Sequence, residues 1–425
     1  MFAFLTGMAL LPIFAVNANA DDESRVAGVY EAAGAPVQLS DDATDAFYLG
    51  EGLYQSTVPG SSNSGDDGDD KWFNISVPQG RKAVISVNAV PLGSAKDDSA
   101  SYGTRVGYKN DSCSDEVSGY STSNSWPDPP EAETITIVPE DGCDPTKYRV
   151  NISSAGSSFD GEIPVEIVVG FPPLVDGAEA GPENDRETPD GDDKDKVKVP
   201  HTDPKSTPGG LSYDKATEIT PGTVSDTLVP GETKFYRMNV DWGQRPIAEV
   251  EFDKKQTDDS RSGKIFVASP RRVQTSYSSS ESLDEDLPVT ARAVGTPYVF
   301  FRNGEGSSSQ GDAKEAGQWY VMVSLDGGSD NGMQSEEIEF RLSTALEGDK
   351  VDGPEWRQPL EPGPAPTLEP TSNENNSNSG ESANSASSGN ENTSQSNAVL
   401  YVGLGILAII LIAAVAVYFT AVRRQ

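Results

Sequence analysis

One half of this chain repeats the other, which restricts the fold to two copies of a single unit set in tandem. Lys71–Gly80 (KWFNISVPQG) aligns without a gap with Lys234–Gly243 (KFYRMNVDWG), and Ala83–Val87 then follows as Pro246–Val250 does. Upstream, Thr57-Val58-Pro59-Gly60 matches Leu228-Val229-Pro230-Gly231, with SSNSGDDGDD inserted in the first copy only. Downstream, Tyr148 aligns with Tyr320, Ile163, Val165 and Ile167 with Ile338, Phe340 and Leu342, and Val175-Asp176-Gly177 with Val351-Asp352-Gly353.

The matched segments alternate apolar and polar residues with a period of two. They are rich in β-branched and aromatic side chains and are broken by Pro-Gly or Gly-Gly. Helical stripes are nearly absent. In the second copy the pattern predicts eight strands: Thr223–Leu228, Lys234–Val240, Ile247–Phe252, Lys264–Val267, Pro288–Arg292, Tyr298–Arg302, Trp319–Leu325 and Ile338–Leu342. Such a set suits an antiparallel, jelly-roll-like β-sandwich, and each copy is long enough to close its own core. The expected fold class is therefore all-β, two tandem sandwiches, with one transmembrane helix at the C-terminal end.

That helix is expected over 398–422, a run of 25 uncharged residues rich in Leu, Ile, Val and Ala, enough to cross roughly 30 Å of hydrocarbon. Tyr401 and Tyr418 stand near its two boundaries, and Arg423-Arg424 follow it, which sets the last three residues, 423–425, in the cytoplasm by the positive-inside rule. At the other end, the apolar run 2–16 and Ala18-Asn19-Ala20 resemble a signal peptide cleaved after Ala20, although no Lys or Arg precedes the run. The expected organisation is a signal peptide (1–20), a first sandwich (25–176), a disordered acidic linker (177–210), a second sandwich (211–353) and a stalk (354–397). The stalk is Pro-rich and then Ser/Asn-rich, too poor in apolar residues to order itself. At ~3.1 Å per residue in its Pro-rich part it would hold the ectodomain tens of Å from the bilayer.

The stretch Gly222–Val250, with Thr227-Leu228-Val229-Pro230-Gly231-Glu232, Phe235-Tyr236 and Asp241-Trp242-Gly243-Gln244, together with Gly317–Val323, resembles the β-sandwich of actinobacterial membrane-anchored secreted proteins. These in turn are similar to bacterial pre-peptidase C-terminal domains. The resemblance covers the second copy and reaches the first through the repeat. It implies an accessory, non-catalytic extracellular sandwich; some pre-peptidase C-terminal relatives bind calcium or matrix polymers.

Composition narrows function by exclusion. A net charge of −35 repels a phosphate backbone, so nucleic acid is not an expected partner. The single histidine, His201, lies in the expected linker, and the only cysteines are Cys113 and Cys143, so neither a Ser-His-Asp triad nor a Cys/His zinc cluster is convincing. In an exported chain the cysteines read as a disulfide; closing that loop would stabilise by ~3 to 4 kcal/mol. Reduction would then weaken the first sandwich and leave the second unchanged.

Three weaker signals remain. Asp66, Asp67, Asp69 and Asp70 offer oxygen ligands suited to Ca2+, but without the spacing of an ordered calcium loop, and a solvated acidic turn is the preferred reading. Ser212-Tyr213-Asp214-Lys215 spells Ser-x-x-Lys at a linker-to-strand junction, where coincidence accounts for it better than catalysis. The adjacent aromatics Trp72-Phe73, Phe235-Tyr236 and Trp319-Tyr320 must each turn one ring outward, toward a ligand or under a neighbouring segment. The expected function is non-catalytic binding or scaffolding at the plasma membrane. Such a single-pass type I protein would touch the lipid bilayer through one helix and an envelope protein or polysaccharide through its ectodomain, with no cofactor. The competing expectation is a carboxylate-dependent envelope hydrolase such as a glycosidase, since Asp and Glu are abundant.

Overall fold

A computed structural model describes residues 30–60, 70–90, 101–121, 124–125, 128–155, 161–175, 199–253, 262–275, 279–283, 289–293, 297–305, 313–326 and 337–354. The signal-like N-terminus, residues 177–198 of the linker, the stalk beyond Pro354 and the run 398–422, with Tyr401, Tyr418, Arg423 and Arg424, lie outside them. Among the described residues no helix is long and apolar enough to cross a membrane.

The first copy comprises β1 (Ala35–Pro36), β2 (Gly52–Pro59), β3 (Lys71–Ile75), β4 (Ala83–Ala89), β5 (Ser101–Tyr102), β6 (Thr104–Asn110), β7 (Glu116–Ser121), β8 (Asn124–Ser125), β9 (Ala132–Ile137), β10 (Tyr148–Ser154) and β11 (Glu162–Gly170). One sheet runs β1-β2-β11-β4-β9, the facing sheet β3-β10-β6-β7, and β5 and β8 form a small ribbon. Counting only the eight main strands, the two sheets read 1-8-3-6 and 2-7-4-5, the jelly-roll arrangement. Alternation explains the core: Ile163, Val165, Ile167 and Val169 of β11 pack inward against Phe73, Ile75, Val150 and Ile152.

The second copy comprises β12 (Lys205–Ser206), β13 (Thr217–Glu218), β14 (Gly222–Leu228), β15 (Thr233–Val240), β16 (Arg245–Phe252), β17 (Ser262–Ala268), β18 (Ser279–Ser282), β19 (Val289–Ala293), β20 (Gly317–Leu325) and β21 (Ile338–Glu347). Its sheets run β12-β14-β21-β16-β19 and β13-β15-β20-β17-β18; the eight main strands recur in the order of the first copy, as does the short parallel strand (β1 or β12) that opens the first sheet, while β13 adds an edge strand beside β15. The turn after β15 shows why the repeat keeps a glycine there. Gly243 sits at φ 78, as Gly80 does at φ 72, and a Cβ on Gly243 would lie 2.5 Å from the Asp349 carbonyl.

Four details differ from the sequence reading. Tyr148 corresponds to Trp319, not Tyr320, because Ile75 faces Tyr148 while Met238, its counterpart, faces Trp319. A shift of one residue exchanges faces: Tyr148 and Trp319 enter the cores, whereas Tyr320 points away. Residues 298–302 form no strand; Phe301–Glu305 is a 3-10 helix. β18, Ser-Ser-Glu-Ser, carries no apolar alternation and escaped notice. Within the segment read as linker, β12 is already paired with β14.

The two sandwiches share a buried joint. β4 is buried along its whole length, on both faces, because the outer face of the β2 sheet lies against the outer face of the β15 sheet. The four sheets therefore stack in the order β3, β2, β15, β14. Tyr30 and Val90 from the first copy join Tyr213, Phe235, Phe266, Ala268 and Met322 from the second in one apolar cluster.

Candidate functional site

The most elaborate polar constellation among the described residues lies in that joint. Glu166, outward on β11 and fully buried, accepts hydrogen bonds from the Tyr30 hydroxyl (2.6 Å), the Ala33 amide (2.7 Å) and Asn88 Nδ2 (2.9 Å). Arg272 Nη1, from the second copy, donates to Glu166 Oε2 at 2.6 Å and to Asn88 Oδ1 at 3.2 Å, and its guanidinium lies 5.0 Å from the Tyr213 ring centroid. A buried charge pair survives only when its remaining bonding capacity is also met, and here both carboxylate oxygens are engaged. Burial first, and then the Glu166 charge, push the Tyr30 phenol well above its ordinary pKa. Tyr30 therefore remains a neutral donor.

Arg272 reaches this place at a cost. It has φ 66, the one positive φ recorded for a non-glycine residue among those described, a conformation disfavoured by roughly 1–2 kcal/mol. The turn is held by the Arg272 amide donating to Ser269 O (2.8 Å), while Arg272 O accepts from the Ala132 amide of the first copy (3.1 Å). Around it, the Tyr213 hydroxyl donates to Pro130 O (2.8 Å), Gln274 Nε2 to Pro129 O (2.7 Å), and Lys264 Nζ to Asp128 Oδ1 (2.7 Å). Burial raises the Asp128 pKa, and the Lys264 bond offsets part of that rise.

Beside this pair, Arg271 Nε donates to Glu315 Oε2 at 2.9 Å with both side chains buried. Its guanidinium lies over Gly170, where an added Cβ would come within 2.7 Å of Nη1 and 2.8 Å of Nη2. Gly170→Val is thus expected to push Arg271 off Glu315 and to destabilise the folded chain by roughly 1–3 kcal/mol, read as a lower denaturant midpoint at unchanged slope.

The residues singled out from sequence are distributed as follows. Cys113 and Cys143 form a disulfide with Cα atoms 5.4 Å apart. Asp70 opens onto β3, but Asp66, Asp67 and Asp69 lie outside the described residues, and among those described no group of three or more His, Cys, Asp or Glu side chains is gathered for a metal. The Ser-x-x-Lys match is a turn: Ser212 Oγ accepts from the Lys215 amide (3.4 Å), and Lys215 Nζ reaches Asp214 (2.9 Å). Of the outward aromatics, Phe235 and Tyr320 enclose Tyr213 in the joint, with centroids at 5.0 and 4.8 Å. Trp72 is half-buried on the first copy's outer face, with Lys109 Nζ 5.0 Å from its ring.

His201, which the sequence places in the linker, is pinned to the β14 sheet. Its Nε2 lies 3.0 Å from Glu249 Oε1 and its Nδ1 3.4 Å from Ser343 Oγ, which also bonds Thr223 Oγ1 at 2.9 Å. This Ser-His-Glu grouping does not make a nucleophile. Ser343 is 1% exposed, closed to an incoming substrate, and no oxyanion-stabilising pair of amides converges on it among the described residues, because the flanking β14, β16 and β21 strands are paired.

No protein-family model matches the chain, and no curated protein matches it. Among solved structures it is similar to the Cowpea mosaic virus top component (10% identity, 81% of this chain and 98% of that one, TM-score 0.20). It is also similar to the CBM22-1-CBM22-2 tandem of Paenibacillus barcinonensis Xyn10C (8% identity, 78% and 100%, TM-score 0.19). A third is the tandem CBM51 modules of Sp3GH98 from Streptococcus pneumoniae (10% identity, 69% and 83%, TM-score 0.18).

Proposed function

We propose that the chain is a non-catalytic binding or scaffolding protein of the cell surface. A signal peptide exports it, the run 398–422 anchors it in the plasma membrane, and a stalk displays its paired sandwiches as in the membrane-anchored secreted proteins that it resembles. The observation that carries this reading is the fate of the buried carboxylates. Glu166 is held by Arg272, Glu315 by Arg271 and Glu232 by Lys234, so these acids serve the fold rather than a reaction. A general acid or nucleophile would need a carboxylate that faces a substrate. The Glu166–Arg272 pair instead joins the two sandwiches into one body and the other two brace the second sandwich, which is what a spacer or platform requires.

The test is incubation of the purified full chain with cell-wall polysaccharides while new reducing ends are followed. No turnover is expected. Turnover abolished by a single Asp or Glu substitution would establish the hydrolase instead.

A further inference from the structure

The first described residues of the chain run into the joint. Tyr30 is buried, its ring edge-on to Phe235 (centroids 5.6 Å apart) and Tyr213 (6.3 Å) of the second copy, and Ala32 packs against the same apolar cluster. The segment then joins the edge of the β2 sheet. Gln55 Nε2 donates to Gly34 O (3.0 Å), Ala35 and Pro36 pair in parallel with Tyr54 and Gln55, and the Val37 amide donates to Gln55 O (2.9 Å). Residues 30–37 thus form a strap across the joint: one end is buried among rings of the second copy, and the other is paired to the sheet of the first.

Its sequence suits a narrow place. Ala32, Ala33, Gly34 and Ala35 carry at most one side-chain carbon each, which lets their backbone lie close against a neighbouring strand, while Glu31 stays exposed. Gly34 sits at φ 108, and a Cβ there would meet the backbone C and O of Leu53 at 2.6 Å, so conformation and space both call for glycine. A segment of the same kind leads into β12, which pairs with β14 as β1 does with β2. There Thr202 and Thr223 exchange amide-to-hydroxyl bonds of 2.9 Å, but the His201 side chain is 60% exposed, whereas the strap of the first copy ends in a buried ring.

The strap divides the bonding of Glu166 unevenly. Arg272, Asn88 and the Tyr30 hydroxyl converge on Oε2, whereas the Ala33 amide is the one donor that reaches Oε1 among the described residues. Withdrawing the strap would therefore take the donor from Oε1, the shared neighbour from Tyr213 and Phe235, and the paired strand from the edge of β2. A buried acceptor left without a partner is costly, so the joint is incomplete until something else fills that place. An aromatic wall, an acceptor for a main-chain N–H and an open sheet edge are together the features that recognise an extended peptide.

We propose that the joint is a peptide-binding site, that residues 30–37 are its ligand in cis, and that a free peptide of the same pattern, a tyrosine followed by small residues with a main-chain N–H three positions on, takes their place when the strap is withdrawn. Because the strap is tethered, it holds the site at an effective concentration of millimolar order, and a free peptide competes poorly with it until its own anchors are weakened. The inference does not depend on where the chain resides or on what else its sandwiches bind.

The probe is a fluorescently labelled synthetic peptide with the sequence of residues 30–37, added to the full chain in detergent and followed by anisotropy. The full chain carrying Tyr30→Ala with Gly34→Val, which loses the buried ring and cannot lay its backbone against Leu53, should bind the peptide at least roughly tenfold more tightly than the unaltered chain. The same peptide carrying Tyr30→Ala should bind that variant roughly tenfold or more weakly, since an anchoring ring is removed. Circular dichroism verifies that the variant keeps its β-type spectrum. Hydrogen exchange on the unaltered chain needs no substitution and decides alone should the variant not fold: the amides of Ala33 and Val37 should exchange at least roughly tenfold faster than those of β11, because the strap leaves while the sheet stays. Equal binding to the folded variant and the unaltered chain, or binding to neither, would overturn the proposal, as would strap amides that exchange no faster than those of β11.

Discussion

Arg272→Ala is expected to destabilise the paired sandwiches by about 3–5 kcal/mol, because it strands the Glu166 carboxylate, fully buried, without its cation. Unfolding should change from one transition to two as the copies lose their tie. Arg272→Gly separates the contributions: it removes the same cation but accepts φ 66 without strain, so it should be less harmful than alanine by about 1 kcal/mol. Arg272→Met combined with Glu166→Gln removes the charge from both sides and should recover much of the loss, since a buried pair is costly mainly when half of it is removed. Calorimetry on the four chains decides. If Arg272→Ala melts at the temperature of the parent in a single transition, the joint does not couple the copies.

The joint was the part least legible in the sequence. Strands could be read wherever one face was apolar, as in Ile163, Val165 and Ile167, because the pleat repeats every two residues. The same rule turned Glu166, Asn88 and Ser86 outward, where polar residues are ordinary, and nothing local indicates that a second sandwich covers them. One signal was available: β4, Ala-Val-Ile-Ser-Val-Asn-Ala, carries Val84 on its outer face as well as Ile85 and Val87 on its inner one, and a strand apolar on both sides is buried on both. The outward rings Phe235 and Tyr320 carried the same message from the other copy. Trp72 has the corresponding place but no apolar row beside it, so the pattern distinguishes a covered face from an open one only when whole rows are compared. His201 was misjudged for a different reason. Its charged and polar neighbourhood reads as linker, whereas its partners Glu249 and Ser343 are far away along the chain.

Reduction of the Cys113–Cys143 disulfide supplies the second large effect, and the joint changes its expected form. The bridge spans a separation of 30 residues, and releasing such a loop in the unfolded state costs ~3 to 4 kcal/mol in the chain-entropy model. Cys113 lies just past β6 in the turn that corresponds to the one bearing Arg272 past β17, so the two copies fasten the same turn by different means, one covalent and one ionic. Hydrogen bonds independent of the bridge are expected to keep the loop in shape after reduction. Ser112 donates to Asn110 Oδ1 through its amide (2.8 Å) and hydroxyl (2.6 Å), its hydroxyl oxygen accepts from the Asp144 amide (2.8 Å), and Asn110 Nδ2 donates to Asp144 O (2.9 Å). The loss therefore falls on the unfolded chain rather than on native packing. Were the copies independent, only the first would respond. Because the second rests on the first, reduction should lower a single shared transition by about 5–15 °C. Repeated in the Arg272→Ala background, it should lower the transition of the first copy alone, and a shared drop in that background, or none in either, would show that stability is not transmitted through the joint.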